Sequence, residues 1–345
     1  MGKLFAPALC RALLRRTLLC LALPVCAAAA PAAAQAPLAG IVRQAEALAP
    51  LETLIVARDG EVLVEQGFRN HSTRAPTNVK SVSKVIISAL VGIAIDKGLL
   101  KGPDQRIAPL LDNKLPAEPD PRLHEITLGN LLSMQAGLQR TSGANYGRWV
   151  ASRDWVRAAL AQPLVDEPGG GMLYSTGNSH LLSAILTRVS GRSTLALARD
   201  WLAPVPGFEI ADWMRDPQGI YFGGNQMAMS PRALLAFGEL YRNGGRAAGR
   251  QVVPPEWIDV SWQPRTQSIF HDDLYGYGWF IAEMAGRRVI YAWGYGGQMV
   301  YIVPDLAVTV VMTSADDQAS ARSGHRDALH ALMRGIVATL DAEAA

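Results

Sequence analysis

Cysteine disappears from this 345-residue sequence after Cys26, and lysine after Lys114. The first absence removes any disulfide framework, thiol nucleophile or cysteine-ligated metal from the chain beyond its opening stretch. No serine stands in a G-x-S-x-G context, which excludes the strand-to-helix nucleophile elbow of α/β-hydrolases. His124-Glu125 has no second histidine at metal-binding spacing, so neither a metal nor another cofactor is expected. There is no internal repeat, and the only biased segment is an alanine-rich start. Charge is sparse, at 18% of residues against 49% apolar ones, an ordinary globular balance with ample material for a large core.

The start has its own character. Lys3, Arg11, Arg15 and Arg16 stand in the first 16 residues with no acid among them, and Thr17 to Ala30 is an apolar run rich in Leu and Ala. Ala32-Ala33-Ala34 and Ala34-Gln35-Ala36 both fit an A-x-A cleavage motif. Cleavage after Ala34 is preferred because the other site leaves Pro37 directly after the cut. Residues 1–34 are thus expected to be a signal peptide, the apolar run being shorter than the roughly 20 residues that span a bilayer. Lipidation at Cys26 is the minor alternative, with bulky Val25 against it. A periplasmic or secreted chain is expected, with no stable membrane span once the leader is removed. All three cysteines (Cys10, Cys20, Cys26) and four positive charges would leave with it, turning a formal +3 into 29 basic against 30 acidic residues. No basic surface for nucleic acid is implied.

Helical and strand patterns are distributed unevenly. Leu38–Leu48 reads as a first helix. Leu51–Arg58 and Glu61–Phe68 are β-rich runs with the hairpin signal Asp59-Gly60 between them. The stretch from Ser81 to Leu99 is apolar all round, which predicts a buried helix. Helices are expected at Ile126–Met134, His180–Val189 and Pro231–Arg242. Strands return at Gly276–Glu283, Arg288–Trp293, Met299–Val303 and Ala307–Thr313, and a helix from about Ala319 to Leu340 follows. The expected architecture is α+β. One antiparallel sheet is built from both ends of the chain (about 38–70 and 272–345), terminal helices cover it, and a helical part (about 78–270) is inserted.

Three constellations carry chemistry. In Ser81-Val82-Ser83-Lys84, helical i,i+3 spacing brings Ser81 and Lys84 together. A serine hydroxyl needs a base to become a nucleophile, and a lysine desolvated by Val85, Ile86, Ile87, Leu90 and Val91 could be that base. Alone, the motif favours a helix cap followed by a solvated lysine. The second is Tyr174-Ser175-Thr176 after Gly169-Gly170-Gly171, where a phenol could relay a proton; a buried tyrosine at a helix start is the structural alternative. The third is Ala292-Trp293-Gly294-Tyr295-Gly296-Gly297-Gln298 between two strands, either a ligand-approaching edge or a tight turn. Tyr146 and Trp149 are pocket or core candidates, and Asn225 could bond a substrate amide or build a turn.

In this order these boxes resemble the serine β-lactamase and penicillin-binding protein superfamily, its class C and esterase branch, from about Glu52 to Ser314. Gly223-Gly224-Asn225, Ser230-Pro231-Arg232 and Phe237 to Tyr241 are similar to the 6-aminohexanoate-dimer hydrolase and esterase group. The resemblance implies a β-lactamase/DD-peptidase-like fold and hydrolysis through an acyl-enzyme. Ser81 would be the nucleophile, Lys84 the base and Tyr174 the relay. The backbone N–H groups of Ser81 and Tyr295 would form the oxyanion hole, and Thr176, Trp293, Gly294, Tyr146 and Asn225 would line the substrate site. The sequence departs from the β-lactamase pattern at two points. Thr176 stands where that pattern has asparagine, and Ala292-Trp293-Gly294 stands where it has Lys or His, then Thr-Gly. That missing cation would hold a substrate carboxylate. The expectation is therefore a small-molecule ester or amide substrate. A weak β-lactamase or D-Ala-D-Ala carboxypeptidase, or a non-catalytic penicillin-binding-like module, is the alternative.

Overall fold

The computed structural model describes Gly2 and residues 37–344. Apart from Gly2, the expected signal peptide (residues 1–34), with its cleavage sites and the three cysteines, lies outside the described residues.

The sheet has eight antiparallel strands: β1 (Leu51–Arg58), β2 (Glu61–Gly67), β3 (Thr266–Gln267), β4 (Leu274–Tyr275), β5 (Phe280–Met284), β6 (Arg287–Gly294), β7 (Gln298–Val303) and β8 (Val308–Ser314). Their spatial order is β2-β1-β8-β7-β6-β5-β4-β3, so the two chain ends meet where β1 pairs with β8. Asp59 and Gly60 both have positive φ, as the tight β1–β2 turn requires. The β-rich runs at both ends contain the strands, and the α+β architecture holds.

Side chains alternate between two cores along these strands. Val300, Ile302, Ile290 and Val311 face the inserted helices. Met299, Tyr301, Val303, Val310 and Met312 face the helices at the chain ends, α1 (Ala39–Ala47) and α5 (His325–Ala344). A register shift between Leu51 and Thr53 puts Leu51 and Leu54 on the same face despite their odd spacing. In α5, Leu329, Leu332, Met333, Ile336, Val337 and Leu340 follow the i, i+3, i+4, i+7 spacing that makes one apolar stripe.

Three more principal helices fill the insertion: α2 (Ser83–Asp96), α3 (Thr176–Ser190) and α4 (Pro231–Arg242). Residues Ser83 to Ala94 of α2 are all buried. Gly92 lets Trp257 lie flat against α2, because a Cβ there would stand 2.2 Å from the indole. Gly238 does the same for α4 on the sheet: a Cβ would be 2.6 Å from Thr309 Cγ2 and 3.1 Å from Val300 Cγ1. A small sheet of Thr77–Asn78, Met227–Met229 and Asp212–Trp213 ties the approach to α2 to the middle of the insertion.

Four expectations need correction. The buried helix starts at Ser83, with Lys80–Val82 forming a 3-10 turn, because Lys80 has φ +50°, outside the helical region. The expected strand Gly276–Glu283 is a turn followed by β5, since Gly278 has φ +90° and Gly276 N–H bonds Trp279 O. The helix expected over Ile126–Met134 covers Leu128–Leu132, bounded by a capping box at Thr127 and positive φ at Met134. The expected C-terminal helix is broken at Gly324, with φ +77°.

In an exposed helix, alanine is about 1 kcal/mol better than glycine. At Gly238 the sign should reverse: Gly238→Ala is expected to lower unfolding free energy by about 1–3 kcal/mol, as overpacked cores do. The matched control is Gly40→Ala in α1, where a Cβ meets nothing within 4 Å. Urea melts of the two variants check the contrast; equal stabilisation by both would contradict the close packing of α4.

Candidate active site

Ser81 is held from two sides. The small sheet fixes the segment before it: Val79 N–H donates to Met227 O over 2.9 Å. The end of β6 presses on the same segment, where a Cβ on Gly294 would lie 2.5 Å from Val79 O and 3.1 Å from Lys80 Cβ. Glycine at 294 thus lets the strand edge reach the residues preceding the serine. The Lys80 ammonium pairs with Asp316, two residues past the end of β8, at 2.6 Å.

Across the junction between the 3-10 turn and α2, Lys84 Nζ lies 2.9 Å from Ser81 Oγ. It also lies 2.7 Å from Gly224 O and 3.4 Å from Thr176 Oγ1. The Tyr174 ring stands 5.2 Å from Nζ. No carboxylate lies within ion-pair distance of Lys84 among the described residues, and its side chain is 3% exposed. Burial without a counter-charge pushes the Lys84 pKa down to about 7. Burial pushes the Tyr174 phenol up to about 12, with the Ser81 hydroxyl acting weakly in the opposite direction as its hydrogen-bond partner.

The sequence predicts how each partner is delivered. Tyr174 precedes α3, its carbonyl accepting from Arg140 Nε at 3.2 Å, and Leu173 N–H bonds Met134 O at 2.8 Å. Thr176 opens α3, and its N–H donates to Ser142 Oγ at 2.8 Å. Ser142 Oγ is also 3.0 Å from Thr176 Oγ1, so the hydroxyls of Ser142 and Thr176 form a chain leading to Lys84. Gly224 has φ +88°, and a Cβ on it would lie 2.8 Å from Lys84 Cγ. Only glycine brings this carbonyl onto the lysine.

The other predicted site residues fall in different places. Tyr295 lies in the turn between β6 and β7, 49% exposed; its N–H, like that of Ser81, makes none of the backbone bonds linking one element to another. Trp293 points to the terminal-helix face, its Nε1 donating to Ser320 Oγ at 3.1 Å and its ring meeting Arg326 at 5.5 Å and Phe270 at 5.4 Å. Phe270 in turn meets Tyr174 at 5.3 Å, so an aromatic chain links Trp293 to the site. Asn225 Nδ2 donates to the Tyr146 hydroxyl at 3.0 Å, and Asn225 Oδ1 accepts from Gln226 N–H at 2.9 Å, so the asparagine both builds a turn and holds Tyr146. Burial raises the Tyr146 pKa. Ser142 and the Gly224 carbonyl went unrecognised as parts of the lysine's surroundings. The glycine doublet at 223–224 was the available signal for the second. Among the described residues no group of three or more His, Cys, Asp or Glu is placed to hold a metal.

One family profile, named Beta-lactamase, matches this chain over residues 43–333. This chain belongs to the Beta-lactamase family. The fold agrees with that of solved structures. A Bacillus anthracis protein assigned as a 6-aminohexanoate-dimer hydrolase superposes with a TM-score of 0.70 at 18% identity, covering 85% of this chain and 80% of that one. EstCE1, a hydrolase with promiscuous acyltransferase activity, gives 0.67 at 21% identity, covering 86% and 98%. In sequence, a Dichelobacter nodosus protein assigned as the fimbrial assembly protein FimD, serogroup H1, is 33% identical over 144 residues, or 40% of this chain. That match spans about a third of the relative's length, 36%.

The clash at Gly224 gives a test. Gly224→Ala forces the lysine or the carbonyl aside, and misplacement by about 1 Å at such a site costs on the order of 100-fold in rate. A drop of that size in kcat/KM toward p-nitrophenyl esters, with an unchanged circular dichroism spectrum, is expected. Turnover within twofold of the parent would show that the carbonyl contact is dispensable.

Proposed function

We propose that this chain is an exported serine hydrolase that cleaves an ester or amide bond through an acyl-enzyme on Ser81. The observation that carries the reading is the 2.9 Å contact between Ser81 Oγ and a lysine whose burial puts its pKa near 7. A lysine at about 7 is neutral in half its copies at neutral pH, and only the neutral amine has a lone pair to take a proton. The Ser81 proton passes to Lys84 Nζ as Oγ bonds the acyl carbon. The N–H groups of Ser81 and Tyr295 are suited to the oxyanion. When the carbon–heteroatom bond breaks, the leaving group takes a proton delivered through the Tyr174 hydroxyl, whose raised pKa keeps it protonated and able to donate. Water then attacks the acyl-enzyme by the same route in reverse, releasing the acid and free Ser81.

The substrate class follows from what surrounds the site. Ala292 occupies the strand position where β-lactamases carry a cation, Trp293 stands in place of the threonine after it, and Thr176 binds Ser142 and Lys84. Both points favour a substrate without a carboxylate there. Structural relatives assigned as a 6-aminohexanoate-dimer hydrolase, a hydrolase with promiscuous acyltransferase activity and a D-stereospecific amidohydrolase are in keeping with an ester or amide substrate. The basic, then apolar, leader supports export to the periplasm or beyond.

Fluorophosphonate labelling and hydrolysis of p-nitrophenyl esters, linear amides and nitrocefin test this directly. Ser81→Ala is expected to abolish both labelling and ester turnover, and undiminished hydrolysis by that variant would sink the proposal. Ester turnover should exceed nitrocefin turnover by at least about 100-fold; comparable rates would reverse the substrate order. Because the lysine must be neutral to act, kcat/KM should rise with pH through about 7 and fall tenfold for each unit below it. A flat profile between pH 5 and 8 would rule out Lys84 as the base.

A further inference from the structure

We infer that a buried His180–Asp216 pair is the positioning device for the catalytic lysine, acting through the Gly223-Gly224 backbone. The inference rests on the reading of Lys84 as the base.

His180 sits one turn into α3 and is fully buried, as is the Asp216 side chain, with His180 Nε2 3.0 Å from Asp216 Oδ2. Neither group touches Ser81, Lys84 or Tyr174, so the hydrolytic steps leave this pair unused. The other ring nitrogen, Nδ1, accepts from Gly223 N–H at 3.4 Å. These two partners fix the tautomer. An N–H pointing at Nδ1 requires an unprotonated Nδ1, so the ring hydrogen sits on Nε2 and is donated to the carboxylate. Asp216 is itself locked, its Oδ1 accepting from Gln218 N–H at 2.8 Å and Ile220 N–H at 2.9 Å. Trp149, Trp155 and Phe222 pack edge-on around the imidazole at 5.6–5.9 Å and keep it dry.

The segment this pair grips ends on the lysine. Ser183 Oγ donates to Tyr221 O at 2.7 Å, and Trp213 Nε1 donates to Phe222 O at 2.8 Å. His180 holds Gly223 N–H, and the next carbonyl, Gly224 O, receives Lys84 Nζ at 2.7 Å. Four consecutive residues are thus pinned, and the last pin is the lysine. Gly223 is glycine because a Cβ there would lie 2.1 Å from Ser179 O, on the helical turn that carries His180.

The chemistry explains why position matters here. A neutral lysine amine has two hydrogens and one lone pair. If Gly224 O and Thr176 Oγ1 take the two hydrogens, the lone pair points at Ser81, where it must receive the hydroxyl proton. The groups facing Lys84 are Ser81, Thr176, the Gly224 carbonyl and the Tyr174 ring. Thr176 is set by the part-buried Ser142 hydroxyl, and the carbonyl by the buried His180–Asp216 network. A looser Gly224 would leave the amine free to turn, lowering the rate of proton transfer while leaving the binding surface intact.

Three variants separate this from simple packing. His180→Leu removes the acceptor for Gly223. Asp216→Asn keeps shape but can donate to Nε2, which moves the ring hydrogen to Nδ1 and sets it against the Gly223 N–H. His180→Asn keeps a carbonyl near Nδ1. Expected are a 10- to 100-fold loss in kcat with KM within threefold for the first two, a displaced acid limb in the pH–kcat profile, and recovery of most of the rate in His180→Asn. Parental kcat and pH profile in folded His180→Leu would overturn the inference while loss of turnover in Ser81→Ala kept the hydrolase reading intact. If the leucine variant fails to fold, 15N NMR of the histidine-labelled parent decides. In the neutral ring, a proton on Nε2 with a hydrogen-bonded Nδ1 supports the device, and a proton on Nδ1 overturns it.

Discussion

The removal of Lys84 from water governs this molecule. A lysine moved from a pKa of 10.5 to about 7 costs the folded chain on the order of 5 kcal/mol at neutral pH. The unfolded chain binds the extra proton between those values, so stability contributed through this group rises with pH from about 7 to about 10.5. A cost of that size is comparable to the whole net stability of many domains. It is met by the scaffold: α2 is buried along nearly its full length, and the sheet is covered by apolar side chains on both faces.

Most other features of the site are ways of keeping that lysine dry and aimed. Gly92 and Gly238 let Trp257 and α4 close over the sheet and α2. Gly294 brings the strand edge to the serine, and Gly224 brings a carbonyl to the amine. The small sheet then holds the segments flanking Ser81 and Gly224 side by side. At Gly224 and Gly294 a single added carbon would push the site apart, and at Gly92 and Gly238 it would push apart the packing behind it. The glycines of this chain that matter are those where backbone meets a packed neighbour.

Much of this was legible beforehand, for identifiable reasons. The strands at both chain ends showed as short β-rich runs, and the Asp59-Gly60 turn carried its own signature. The lysine showed because its neighbours Val85 to Val91 are apolar all round, unlike a solvated face. The start of α2 at Ser83, two residues past the point the apolar pattern suggests, has no sequence signature because it follows the positive φ of Lys80. Gly276–Trp279 looked like strand because its aromatics are β-prone, yet they fill a turn against Ser261. The His180–Asp216 pair was illegible, since the two residues stand 36 apart and are joined only by the fold. Thr176 was noted as a departure from the β-lactamase pattern, but its hydrogen bond to Lys84 depends on where Ser142 comes to rest.

With a pKa near 7, Lys84 loses its proton about three units below an ordinary lysine, and lysine-selective 15N NMR across pH 5–11 reads this out. One side-chain nitrogen with a midpoint near 7, absent from Lys84→Met, is expected. A spectrum in which no lysine titrates below pH 9 would contradict it.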